Sequence, residues 1–174
     1  MTNATAATVE SEFARPIVGP RTMSSGSAIP GSLDDKPTCR IVRAGAQFVG
    51  KQGHLLAPGI SAQSVGAQRI HLQIATIPPG VRSNAHKHAD HESAIYVLSG
   101  GCAVWYGEKL ERRLELRAGD FLYIPADMPH LPYNPNAESC VVIVARTDPD
   151  EQESVVLLPE LDALHEPLPG AKRL

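Results

Sequence analysis

Cysteine is scarce in this sequence: the 174 residues include three, Cys39, Cys102 and Cys140. Three is too few, and an odd number, for a disulfide framework, so the pattern is typical of a reduced protein of the cytoplasm. Cys102 and Cys140 lie in strand-like apolar runs, and we interpret them as small buried hydrophobic residues rather than as nucleophiles.

The sequence also lacks long apolar runs and an excess of positive charge. No run approaches the roughly 18 apolar residues that a membrane-spanning helix needs. The start, MTNATAATVESEF, lacks the basic segment and apolar core of a secretory signal peptide. The formal net charge is −3 and the isoelectric point is about 6.1, without the basic footprint of a nucleic-acid binder. We therefore predict neither a membrane nor a nucleic acid as a partner.

Proline and glycine, by contrast, are abundant, with 15 and 14 copies. Prolines interrupt every helical or strand period in residues 1–38, which we predict to be an extended or disordered N-terminal arm. The folded domain is predicted over residues 39–150. Residues 151–174 are predicted to be a C-terminal tail with at most a short helical turn.

The predicted domain consists of short β-type runs separated by turn residues, with residues 51–68 as a loop. Several short strands at this spacing, with no long amphipathic helix between them, indicate an all-β sandwich or barrel. The predicted strands span residues 39–44, 47–50, 69–77, 94–100, 102–107, 110–117, 121–125 and 140–146.

Histidine is concentrated in one short segment, which contains His86, His88, His91 and the adjacent Glu92. If residues 86–88 are extended, His86 and His88 point to the same face, since side chains alternate along a strand. His130 follows a second turn of the same kind, in GDFLYIPADMPH. Imidazoles with one carboxylate suit Fe(II), Mn, Ni, Zn or Cu, and we predict one divalent metal ion as the cofactor.

The two histidine segments together resemble the motifs of the cupin superfamily. In the first, Gly80 is followed by VRSNA, His86 and His88, and the motif closes with YVLSGG. In the second, Gly119 precedes DFLYI and Pro125, and His130 and Asn134 follow. The resemblance implies a small single-domain member with a double-stranded β-helix, or jelly-roll, barrel.

The resemblance also implies metal ligands at His86, His88 and His130, with a carboxylate as the fourth. Counting forward from His88 places that carboxylate at Glu92, whereas counting back from Gly100 reaches Ser93. Even alternation back from Val97 puts His91 inside and Glu92 outside, and a bulge would reverse this. The fourth ligand is therefore Glu92 by resemblance or His91 by alternation, and a set of three imidazoles with waters is the third alternative.

Asp127 stands where the second motif has glycine. Asp tolerates a left-handed backbone better than most non-glycine residues do, so we expect the turn to form.

Cupins include dioxygenases, isomerases, lyases, decarboxylases and proteins that only bind a ligand, so the fold does not select the reaction. We expect a metal-dependent, dioxygenase-like enzyme acting on a small organic molecule, with catalytic residues unassigned. The alternatives are a non-catalytic small-molecule-binding cupin and a metal-dependent isomerase or lyase. The resemblance also suggests a homodimer. The residues predicted to line the pocket are Gln73, Ile95, Val97, Trp105, Phe121 and Tyr123, while His54, His71 and His165 are assigned to the surface or to local hydrogen bonding.

Overall fold

The structure, a computed structural model, describes residues 38–151, 154–165 and 172–173. Except for its last residue, the predicted arm over residues 1–38 lies outside these ranges, so it stays a prediction. No helix in the described ranges is long and apolar enough to cross a membrane.

Eleven strands and two four-residue helices make up the described chain. The helices are α1 (Ala62–Val65) and α2 (Pro159–Asp162). The strands are β1 (Phe48–Val49), β2 (Leu55–Ile60), β3 (His71–Ile77), β4 (His86–His88), β5 (Ser93–Ser99), β6 (Gly101–Tyr106), β7 (Arg112–Arg117), β8 (Phe121–Ile124), β9 (His130–Tyr133), β10 (Cys140–Arg146) and β11 (Val155–Leu157).

The strands form two antiparallel sheets. One has the order β1-β2-β3-β10-β5-β8 and the other the order β11-β4-β9-β6-β7. The prediction of an all-β architecture is confirmed at this level for the described residues, whereas the closed barrel stays a prediction. Since β4 and β9 are neighbours in one sheet, the two histidine segments of the sequence meet there.

Alternation along the strands places the core between the sheets. In β3, His71, Gln73, Ala75 and Ile77 are buried, while the side chains between them are more exposed. The main apolar cluster takes residues from both sheets and includes Cys102 and Cys140, which are both free and buried, as predicted. Its buried members are Leu56, Ala75, Ile77, Val81, Val97, Cys102, Cys140 and Val142.

Two predictions near the start of the domain, one of a strand and one of a loop, are wrong. Residues 39–44 form no strand, and Ile41, one of their apolar side chains, is 85% exposed. Residues 51–68 are not simply a loop, because they contain β2 and α1. The Pro58-Gly59 pair lies where the register between β2 and β3 shifts, so the proline is accommodated at an irregularity of the ladder.

Several large apolar side chains remain exposed on the outward face of the six-stranded sheet. Strand pairing aligns Ile74 with Ile143, Ile143 with Tyr96, and Tyr96 with Phe121 across four strands. The homodimer is not tested by this single chain and stays a prediction.

Gly100, in the turn between β5 and β6, combines a left-handed backbone (φ 70°) with close packing. A Cβ there would collide with the backbone carbonyl oxygen of Ser139. Gly66 has the same backbone conformation (φ 74°), but nothing lies within 4 Å of its Cβ position. Comparing alanine substitutions at the two glycines therefore separates the cost of backbone strain from the cost of a steric collision.

We expect Gly66→Ala to lower the free energy of unfolding by about 1–2 kcal/mol, the usual cost of a left-handed non-glycine residue. Gly100→Ala should lower the free energy of unfolding by at least about 1 kcal/mol more than Gly66→Ala does, because the backbone at Ser139 must also move. Urea unfolding of both variants measures the difference, and equal losses would contradict the collision.

Candidate metal centre

Strands β4 and β9 bring three histidines of the two segments to one place. His86 and His88 are both buried, while Lys87 between them points away and its Nζ lies 2.7 Å from Asp127 Oδ1. His86 is the register partner of His130 on β9. Alternation along β4 and pairing with β9 therefore place three imidazoles on one face of the sheet.

The three imidazoles are close enough to share an ion. One nitrogen from each of His86, His88 and His130 lies within 4.8 Å of the other two. The ring centroids of His86 and His130 are 4.2 Å apart, and each is 5.1 Å from that of His88. Within the described ranges, this is the one group of metal-binding side chains that meets this distance.

Backbone carbonyls orient two of the rings. The Nδ1 of His86 donates to the carbonyl oxygen of Asn84 at 2.7 Å, and the Nδ1 of His130 donates to that of Met128 at 2.8 Å. A carbonyl oxygen only accepts, so Nδ1 carries the proton and Nε2 keeps its lone pair. A fixed tautomer of this kind is the usual second-layer support of a metal-bound histidine.

Burial keeps the imidazoles uncharged. It lowers the pKa of His86 to about 4, with nearby His54 adding to the effect. Burial lowers the pKa of His130 to about 3, with His86 as the second cause, and it also lowers that of His88. A neutral imidazole is the form that binds a metal, so the donor set fits a divalent ion at neutral pH.

A cavity of about 70 Å³ lies against the three histidines. Ile95 and Val97 lie on its wall, and so does Ser93, the residue reached by counting back from Gly100. The other lining side chains are mostly apolar and come from both sheets; they include Ala75, Ile77, Cys102, Val104, Leu116, Leu122, Ile124, Pro132, Val142 and Val144.

Glu92 does not join the three imidazoles, so its prediction as a ligand by resemblance is corrected. Strand β5 alternates evenly, which buries Ser93 and turns Glu92 outward. There Glu92 Oε1 accepts a hydrogen bond from the hydroxyl of Tyr123 at 2.8 Å.

His91 is buried beside the cluster but lies outside the group that shares the 4.8 Å distance. Its ring centroid is 4.7 Å from that of His88. The Nδ1 of His91 is 3.1 Å from Ser154 Oγ, whose own proton goes to the Ala89 carbonyl. His91 therefore lies beside the cluster, and the described donor set is the three-imidazole alternative.

Four of the predicted pocket residues do not line this cavity. Phe121 and Tyr123 are 80% and 60% exposed, because the alternation of β8 turns Leu122 and Ile124 inward instead. Trp105 packs against the ring of His165 at a centroid distance of 4.5 Å. Gln73 is buried, but it is not on the cavity wall.

The sequence analysis missed His54 and Gln52, which both line the cavity. His54 is 7% exposed and His71 is 1% exposed, so assigning them to the surface is wrong. The other alternative, local hydrogen bonding, holds for His165, which contacts the carbonyl of Leu110. Buried His54 and Leu56 follow the period-two alternation of a strand. This pattern could have predicted β2, but the adjacent Pro58 and Gly59 are more typical of a loop.

The turn at Asp127 forms as expected, with φ 60°. Its carboxylate reaches Lys87, which stands between the two histidines of β4. This ion pair connects the second histidine motif, which contains Asp127, to the first, which contains Lys87.

Comparison with known proteins finds one matching family and several similar solved structures. Residues 73–146 match the cupin domain family. Among curated proteins, nothing matches the sequence.

Solved structures with a similar fold include two oxalate decarboxylases. That of Bacillus subtilis, for which Mn(II) centres are described, is 21% identical at a TM-score of 0.55, over 68% of this chain and 31% of that one. The enzyme from Lactobacillus farciminis, solved as a formate complex, is 22% identical at a TM-score of 0.56, and the match covers 69% of this chain and 35% of that one. This chain thus spans about a third of those proteins.

A third similar structure is an uncharacterized conserved protein with a double-stranded β-helix domain from Klebsiella pneumoniae. It is 15% identical at a TM-score of 0.52, over 62% of this chain and 86% of that one. At these identities the likeness shows the fold alone.

The lowered pKa values of the cluster predict an acid-sensitive metal-free protein. In the unfolded chain these histidines take up protons below about pH 6.5, the usual pKa of histidine. In the folded protein His86 and His130 do so only below about pH 4 and about pH 3. Stability should therefore fall as the pH falls from about 7 toward 5.

Urea unfolding midpoints in the presence of a chelator, at several pH values, measure this dependence. His130→Gln should flatten the slope, since one depressed imidazole is gone. A midpoint that is constant between pH 7 and 5 would contradict the assignment.

The two motifs of the sequence occupy matching places in the structure. Gly80 and Gly119 both have positive φ, at 69° and 96°, and each precedes a strand or bridge leading toward the histidines. The side-chain amide of Asn134 closes the second motif by donating to the carbonyls of Ile77 and Glu138. Together with the two-sheet fold, the family match identifies residues 73–146 of this chain as a cupin domain.

Proposed function

We propose that this protein is a divalent-metal-dependent, dioxygenase-like enzyme that acts on a small organic molecule. The observation that carries the proposal is the convergence of His86, His88 and His130 at the wall of a cavity between the two sheets. Three protein ligands leave coordination positions open for a substrate, which distinguishes a catalytic site from a structural one.

The residues of the chain supply binding, orientation and exclusion of water. His86, His88 and His130 would hold the ion, and the carbonyls of Asn84 and Met128 keep two of the rings in the ligating tautomer. A bound divalent ion supplies Lewis-acid or oxygen-activating chemistry. The apolar walls keep the site dry, which strengthens every electrostatic contact within it.

A second hollow adjoins the first and favours a substrate with an apolar part. Its volume is about 310 Å³, and it shares four wall residues with the histidine cavity. Its own lining is mostly apolar, with Tyr106 and Tyr123 as hydroxyl groups. This arrangement fits a small aromatic or enol-type molecule. The shared wall consists of Val104, Leu122, Ile124 and His130.

A non-catalytic binding cupin is the second candidate. The observation in its favour is Ser93, which puts a hydroxyl on the cavity wall where one count of the motif expects a carboxylate. In that case a ligand would copurify with the protein, and His86→Ala would leave the affinity for that ligand intact.

Metal analysis is the first test. Protein purified without chelators should carry about one divalent ion per chain, and the His86→Ala/His88→Ala variant should carry almost none, because two of three ligands are lost. His165→Ala removes a histidine that lies outside the cluster and should keep the metal. Equal metal content in the double variant and the parent protein would contradict the site.

Oxygen consumption is the second test. The Fe(II)-loaded protein should consume oxygen in the presence of at least one compound from a panel of diketones, catechols, flavonols and small carboxylic acids. The rate of oxygen consumption by the double variant should be at least about 100-fold lower. Turnover without oxygen uptake would favour the isomerase or lyase alternative. Metal binding with no turnover of any compound would favour the binding cupin.

A further inference from the structure

His54 is a polar group of the cavity that the three-imidazole site does not use. It is 7% exposed and lines the cavity together with His86 and His130. Its Nε2 is buried and, as far as the described residues go, has no hydrogen-bond partner. A buried nitrogen without a partner costs about 1–3 kcal/mol, so its presence beside the cluster calls for a physical reason.

The backbone holds His54 in place through a tight turn. Gly50 N donates to the carbonyl of His54 at 2.8 Å, and Gly53 N donates to that of Gly50 at 2.9 Å. Gly53 has φ 89°, which favours glycine. The imidazole is therefore displayed by a defined turn between β1 and β2.

The same turn is tied to the backbone that orients the metal centre. Asn84 N donates to the carbonyl of Gln52 at 2.8 Å, while Asn84 O accepts the Nδ1 proton of His86. One peptide segment thus links the His54 turn on one sheet to the His86 ring on the other. His54 is consequently positioned relative to His86 and not merely near it.

The charge balance of the cavity indicates what His54 could contact. The three imidazoles are neutral, Glu92 lies outside, and none of the described residues on the wall is acidic. A divalent ion held there would keep its full positive charge in a mostly apolar space, which is costly unless an anion accompanies it. The wall favours an anionic ligand.

The size of the cavity limits that anion. About 70 Å³ corresponds to about five water-sized positions, enough for a carboxylate group with one or two further atoms. A carboxylate has two oxygens, and one of them remains available when the other faces the imidazoles. Burial lowers the pKa of His54 to about 4, so its ring is neutral and offers one N–H.

We propose that His54 contacts the ligand of this site, donating a hydrogen bond to the carboxylate of a small organic acid that binds beside His86, His88 and His130. The inference rests on the proposed metal site and adds to it a substrate class and a residue that recognises it. His54 lies outside the group with mutual nitrogen distances of 4.8 Å, so it serves the ligand and not the ion.

The test separates ion binding from carboxylate binding. The full chain is loaded with Co²⁺, whose visible absorption reports both events, and is titrated with formate, the smallest carboxylate. His54→Phe keeps a flat ring without a nitrogen, and His54→Gln restores an N–H donor. His165→Phe serves as the matched control, since His165 does not line the cavity.

We expect Co²⁺ affinity within about threefold of the parent protein for all three variants. Formate affinity should fall about tenfold or more in His54→Phe, since a hydrogen bond to a charged group is lost. It should recover at least in part in His54→Gln and stay unchanged in His165→Phe. If His54→Phe folds poorly, His54→Leu provides the same loss of the donor.

Each failure has its own signature. If the parent protein binds no Co²⁺, or if His86→Ala binds it equally well, the proposed metal site is wrong. If Co²⁺ binding depends on His86 but formate does not bind, or binds His54→Phe within about twofold of the parent protein, the role of His54 is wrong. Loss of Co²⁺ from both His54 variants would make His54 a metal ligand and overturn the inference as well.

Discussion

The candidate site depends on two hydrogen bonds from histidine rings to the backbone. The carbonyls of Asn84 and Met128 accept hydrogen bonds from the Nδ1–H groups of His86 and His130. The Nε2 atom of each ring therefore keeps its lone pair and can bind a metal ion. With the other tautomer, Nε2–H groups would occupy the same region, and a cation would be repelled. Because a backbone carbonyl cannot donate, the choice of tautomer follows from the main chain and not from solvent.

Burial and function act through the same groups in this site. The apolar walls that exclude water also depress the pKa values of His86 and His130, so the rings stay in the form that binds a metal. Buried imidazoles destabilise the fold when no ion or ligand accompanies them. The ladders of the two sheets and the apolar cluster between them offset this cost.

The outward turn of Glu92 changes the chemistry of the site as well as its geometry. A carboxylate ligand would cancel part of the charge of a bound cation, whereas Ser93, on the wall, does not. A divalent ion held by the three imidazoles alone would therefore be more electrophilic than one that also has a carboxylate ligand. His54, held by the turn between β1 and β2, is a neutral polar group on the same wall, and our proposal assigns it the contact with an anion drawn to that charge.

The amino-acid sequence alone determined the local features of this protein. Strand period two placed His86 and His88 on one face, turn residues separated the strands of an all-β fold, and Asp127 took the left-handed turn. These features follow from backbone sterics within a few residues.

Only the tertiary structure decided which groups meet. Even alternation in β5, without a bulge, turned Glu92 outward; the register of β8 exposed Phe121 and Tyr123; and the docking of one turn on Asn84 brought His54 to the cavity. Register and neighbour choice are set by packing between distant segments, which no local pattern encodes.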